Sequence, residues 1–257
     1  STISVDNHAI TIHDADDAEI ATVTSSGGSL SAPNGFELLT NATFDGFGAI
    51  NGDLYFASGG SVITATSTGI IMNGLLRNDS GMIDGTRYIF NQNPSGSPGG
   101  WTGAGTINAR VVFNSGTQVN ALANMTMGSN ATDGVTFNAG SELHADTRHV
   151  TLIDSSGIGL PSITDMDTFG RVTCTQNLTA NLGRRVSGRG TVQTPLLTIL
   201  GTLAPGELTS VALGETGTLT VDGALTLGAT ANTDIQIGGI TPPFQFDRVL
   251  ATGPVTL

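Results

Sequence analysis

Lysine is absent from this chain and cysteine occurs once, at position 174. With one cysteine no intrachain disulfide can form, so stability must come from packing and backbone pairing. The context Val172-Thr173-Cys174-Thr175 alternates apolar with polar residues, which marks Cys174 as a small buried hydrophobe rather than a reactive thiol. No apolar run reaches the length needed to cross a bilayer as a helix. Aromatic residues make up only 5% and charged residues 12%, and no stretch of helical length keeps an i, i+3, i+4 apolar period. The nine bases, all arginine, face 21 acids, for a formal net charge of −12. That imbalance argues against a general binder of nucleic acid or anionic membrane, because both partners are polyanions.

What the chain has instead is glycine, 36 residues of it, and internal repetition. Leu54–Val62 (LYFASGGSV), Val111–Val119 (VVFNSGTQV) and Val135–Leu143 (VTFNAGSEL) are near-copies, and Tyr88-Ile89-Phe90-Asn91 is a truncated one. Phe90, Phe113 and Phe137 fall about 23 residues apart, a period in the range of solenoids. A unit this short cannot bury an apolar face alone, so its copies must stack around a shared core. Within Val135-Thr136-Phe137 the alternation is that of a half-buried strand, and Gly116 and Gly140 follow as turn residues. The fold class expected is all-β, a single-stranded parallel β-helix, or β-solenoid. Phe56, Phe90, Phe113 and Phe137 would form its core series. Asn91, Asn114 and Asn138 would either form a hydrogen-bonded ladder at a corner or serve as ordinary turn asparagines.

The texture continues along the whole length, so one solenoid domain is expected over residues 1–257. Residues 1–40 would supply opening coils with an acidic turn and 41–153 the Phe-repeat coils. Residues 154–170, which contain Pro161 and lack clear alternation, would leave the stack as an irregular excursion. Residues 171–257 start their strands with Gly-Thr-apolar. The chain lacks an initiator methionine and ends mid-strand at Val255-Thr256-Leu257, as expected of a processed or partial piece of a longer protein.

The last third carries a resemblance. Gly188-Arg189-Gly190-Thr191-Val192, then Gly201-Thr202-Leu203-Ala204-Pro205-Gly206, Gly217–Gly228 (GTLTVDGALTLG) and Phe246–Gly253 (FDRVLATG) resemble the autotransporter-associated β-strand repeat of bacterial surface proteins. The likeness covers residues 186–257. It implies a right-handed parallel β-helix, secreted or displayed at the cell surface, that acts as a stalk or adhesive scaffold and carries no catalytic residues.

Candidate sites are few. Asp14, Asp16, Asp17 and Glu19 form one acidic cluster and Asp165 with Asp167 another; each would be a weak calcium site or a set of solvated turn acids. No cofactor and no other metal is expected, since neither histidine pair (His8 and His13, His144 and His149) shares a strand face or has a matching ligand set. Arg184, Arg185 and Arg189 make the one basic cluster, suited to an acidic glycan or to local pairing with aspartate. Trp101 would stack on a sugar ring or cover an open edge of the core. The Thr22/Thr24, Thr64/Thr66 and Thr66/Thr68 pairs do not recur at the Phe spacing, which leaves little basis for ice binding. The expected function is an extracellular structural or adhesive element, forming fibres or homo-oligomers through its unpaired end coils and meeting surface glycans. The alternatives are a polysaccharide lyase or hydrolase and a glycan- or ice-binding module.

Overall fold

The computed structural model describes residues 2–6, 8–11, 18–56, 61–79, 81–130, 134–206, 216–237 and 246–257. Their regular structure is all β, and the strand pairs are parallel apart from one isolated antiparallel bridge, Ile237 to Phe246. Among them no helix is long and apolar enough to cross a membrane. The chain is a parallel β-solenoid whose contacts divide it into two compact units, residues 1–129 with 134–141, and 130–133 with 142–257.

In the first unit each coil contributes to three columns of pairing. One column runs through Phe36–Leu38, Leu54–Phe56, Leu76–Asn78 and residues 100–103 to residues 118–121. A second carries Val23, Phe44, Ile63, Ile83, Ile107 and Met127 in register, five of them aliphatic and Phe44 the sixth. The third carries Leu30, Ile50, Met72, Phe90, Phe113 and Phe137. These inward residues are buried because strand side chains alternate faces, and one face of every strand looks into the coil.

The Phe series is therefore real from Phe90 onward. Phe90 and Phe113 stack with ring centroids 4.9 Å apart and planes 9° from parallel. Phe113 and Phe137 follow at 5.1 Å and 12°. Phe56 does not belong to this series. Its backbone pairs with Leu38 and Asn78 in the first column, on a different side of the coil. The local string resembles the other copies, but register is set by the number of residues between corners, and there it differs.

Corners need tight approach of successive coils. At Gly85, with φ +121°, a Cβ would collide with the carbonyl oxygen of Ala65 in the coil below, so only glycine fits. Other corners use side chains to satisfy buried backbone. Asn78, fully buried, takes the Gly81 amide on its Oδ1 at 2.6 Å and donates Nδ2 to Gly81 and Ala104 carbonyls at 3.0 and 3.2 Å. Tyr88, equally buried, donates its hydroxyl to the Asp84 and Ile63 carbonyl oxygens at 2.7 and 3.1 Å.

The second unit has the same three-column plan with a slimmer core. Leu143, Ile163, Val186 and Leu203 stack in one column. Val150, Val172, Val192 and Val221 form the next. Ile158, Leu178, Leu197 and Leu225 form the third. Residues 154–170 do not leave the stack. Ile158–Gly159 and Ser162–Met166 are strands within it, paired in parallel with Leu178–Ala180 and Glu142–Asp146. Ile158–Gly159 is too short to show alternation, and Thr164-Asp165 puts two polar residues in a row within Ser162–Met166, which is why the sequence reads as irregular there.

Because Phe113 has a ring on each side, Phe113→Ala should cost more than Phe137→Ala. The cavity alone predicts a loss of about 3–5 kcal/mol. The second stacked partner adds about 0.5–1.5 kcal/mol. Urea unfolding of the two variants checks the order.

Candidate functional site

The most organised polar feature lies on the first unit, directly outside the Phe column. Asn138 donates its Nδ2 to Asn114 Oδ1 at 2.6 Å, and Asn114 donates to Asn91 Oδ1 at 2.6 Å. Asn91 donates to Asn73 and Asn73 to Asn51, each at 2.7 Å. Asn51 closes the series on Ser31 Oγ at 2.9 Å. The three predicted asparagines are thus the upper rungs of a five-amide ladder. Asn51 and Asn73 were legible only as the polar residue after an inward Ile50 or Met72. A carboxamide carries donor and acceptor together, so identical rungs satisfy one another in a single direction.

The other predicted contact residues are spoken for within the fold. Trp101 is 0% exposed, in register between Leu76 and Val119, and so is core rather than a platform for a sugar. Arg184 is the buried residue just before the strand Arg185–Gly188, and Arg185 is only half-buried at the strand's start. Arg184 is buried, and burial pulls its guanidinium below its usual pKa. Arg185 is in an ion pair with Asp234, Nη1 to Oδ2 at 3.1 Å. Arg189 lies with its stem over Gly217 and donates Nε to the Gly206 carbonyl at 3.4 Å. These arginines bind coil to coil and do not make a shared free cluster.

Of the acidic candidates, Asp14, Asp16 and Asp17 lie outside the described residues, as do the side chains of Glu19 and Asp165; the side chain of Phe56 lies outside them too. Asp167 accepts from the amide and hydroxyl of Thr168 at 2.7 and 3.2 Å, a turn role. Among the described residues no three carboxylate, imidazole or thiol groups converge on one point.

Sequence reading missed two polar rows. In the first unit Tyr55 donates its hydroxyl to Asp79 at 3.0 Å, which pushes the phenol's pKa up, and Arg77 lies 4.8 Å over the Tyr55 ring. In the second, Gln193 accepts from Arg171 and Thr173 at 3.3 Å each and donates to Asp222 at 2.9 Å. Asp222 also receives Thr252 Oγ1 at 3.1 Å. The groove beside this row reaches Cys174, Pro195 and Gly223. The Cys174 thiol is pushed up by burial, partly opposed by the Gln176 amide at 3.4 Å.

Two outcomes test these assignments. An ionised aspartate at position 114 accepts but does not donate, so Asn114→Asp sets two acceptors against each other at Asn91. The folded protein then prefers the protonated acid, whose pKa rises above the unfolded value of about 3.9. Destabilisation is therefore full above the raised pKa and fades as pH falls through it toward about 4. Melting of Asn114→Asp against Asn114→Ala at several pH values checks this, since the alanine variant should keep a constant deficit. Cys174 should resist a thiol reagent at mildly alkaline pH until the second unit unfolds, because burial and scarcity of thiolate act together.

Compared with protein-family models, curated proteins and solved structures, the chain matches none.

Proposed function

We propose that this protein is an extracellular structural β-solenoid, a stalk or fibre-forming adhesive element of a bacterial cell surface, without catalytic activity. The observation that carries the reading is the five-amide ladder running beside the stacked phenylalanines. Within the first unit the ladder binds successive coils from Ser31 to Asn138 along the axis, and the rings add to it from Phe90 to Phe137, which is the direction in which a tensile or spacing element needs cohesion. Each amide bond adds about 0.5–1.5 kcal/mol, and the sum grows with the number of coils. The resemblance of residues 186–257 to the autotransporter-associated repeat supports a surface location, and the net charge of −12 suits solubility there.

Growth along the axis has a physical basis as well. The coil of Arg248–Ala251 and Val255–Thr256 leaves Leu250 and Val255 more than half exposed. A parallel strand addition by a neighbouring copy is the kind of contact that such apolar side chains on a sheet would support. Surface glycans are the partners proposed for its flanks, and no resident cofactor is proposed.

Negative-stain electron microscopy across a protein concentration series, with and without calcium, is the first test. Filaments that lengthen with concentration and ignore calcium are expected of a fibre, and particles of constant length are expected of a stalk. Release of unsaturated or reducing sugar ends from polyuronate by the same preparation would overturn the scaffold reading in favour of a lyase or hydrolase.

A further inference from the structure

The corner joining the second and third columns of the second unit shortens from coil to coil. It runs from Val150 to Ile158, from Val172 to Leu178, from Val192 to Leu197 and from Val221 to Leu225, each pair in register with the next. Every coil has fewer residues to turn with than the one before, so the corner steps inward. The register slips between Gln193, opposite Asp222, and Leu196, opposite Ala224, so that Thr194-Pro195 is matched by Gly223 alone. An added Cβ at Gly223 would meet the Thr194 carbonyl oxygen, so glycine lets the shorter coil sit tight on the longer one. Pro195 is left exposed as a ledge.

Along this step runs a groove of about 490 Å³, lined from Thr173–Thr175 past Gln193–Pro195 and Asp222-Gly223 to Thr252. That volume lies in the range of small-ligand sites. One wall is the row Thr173, Gln193, Asp222 and Thr252, joined by hydrogen bonds. Arg171 is tied to the row through Gln193: its Nη1 donates to the amide oxygen, and the amide nitrogen donates to Asp222. A cation and a carboxylate linked through an amide leave the wall without net charge. Unlike the asparagine ladder, this row does not use up its own capacity. Gln193 and Thr252 take one lone pair each, on Asp222 Oδ2 and Oδ1, and a second remains on each oxygen. Gln193 keeps a second amide N–H. Thr173, Gln193 and Asp222 are half-buried and Thr252 is exposed, so the row is reached from solvent.

We propose that this groove binds neutral hexose units of a glycan laid along the solenoid axis. Two acceptors side by side on one carboxylate match two adjacent ring hydroxyls. Gln193 and the threonine hydroxyls meet the hydroxyls on either side, and the C–H face of the ring rests on Pro195 and the Gly223 backbone. An acidic sugar would bring its carboxylate against Asp222, on a protein whose net charge of −12 already repels anions. Each side chain of the row is held by the next before a ligand arrives, so little order is lost on binding. The site rests on the reading of surface glycans as partners of the flanks, and it gives them a sugar class.

The test is a nitrogen-15 NMR titration of the Gln193 side-chain amide in the intact chain, its signal identified by its loss in Q193L. Cellotetraose, maltotetraose and mannotetraose are the neutral probes and tetragalacturonate the acidic one. The expected result is a saturable shift at millimolar concentration with at least one neutral probe, and a weaker one or none with tetragalacturonate. D222N should weaken binding about tenfold or more, since it puts a donor in place of one of the paired acceptors. T252V, at an exposed position, should weaken it to a lesser degree and keeps the test open if D222N proves unstable. No saturable shift with any neutral probe, tighter binding of tetragalacturonate, or an affinity unchanged in the folded variants would overturn the proposal and leave the row as coil-to-coil pairing. None of those results touches the scaffold reading, which electron microscopy decides. Shortened probe in the titrated sample would overturn the scaffold reading and still support the groove as a sugar site.

Discussion

In-register parallel stacking is the constraint from which the rest follows. It places each residue over its equivalent in the next coil, so every column asks whether a side chain tolerates its own kind at strand spacing. Phenylalanine passes, because offset rings at about 5 Å attract. Asparagine passes, because its amide is both donor and acceptor. Valine passes four times in succession in the second unit. The permitted chemistry of a column is thus a filter on the sequence.

That filter also explains what the sequence made legible. Phe113 over Phe137, and Asn114 over Asn138, follow from a constant local period, 24 residues between the paired asparagines. The same ladder is spaced by 18, 20 and 22 residues among its earlier rungs. Spacing of that kind hides a column from any fixed-period search. It concealed Asn51 and Asn73, whose inward neighbours are Ile50 and Met72, and it let Phe56 pass for a member of a series it does not join. Residues 154–170 misled for a related reason. A strand of two residues, Ile158–Gly159, is enough to continue a column when both neighbours already define it.

The candidate contacts fared worse than the fold, because residue type says little about where a side chain is consumed. Of the two roles open to Trp101, sugar platform or cover of the core, Trp101-Thr102-Gly103 alternates, and that period places it inward. Arg184 and Arg185 looked like one cluster, although Arg184 is buried before the strand begins and Arg185 pairs with Asp234. The row of Thr173, Gln193 and Asp222, conversely, is invisible along the chain. Its members meet only because successive coils close in register.

The same geometry bears on how a solenoid acquires specificity. Its flanks are strands held on both sides, so groups presented there are fixed by neighbouring coils rather than by loop conformation. Two donors from adjacent coils arrive at a spacing the backbone sets, with little left to order when a ligand binds. Glycine then acts as a depth control. At Gly69, where φ is +94°, an added Cβ would meet the Arg87 carbonyl oxygen and Cβ in the next coil, so the close approach of the two coils there needs glycine. Axial cohesion and lateral recognition thus draw on one property, the repetition of a position from coil to coil, and differ only in whether the stacked side chains use up one another's hydrogen-bonding capacity.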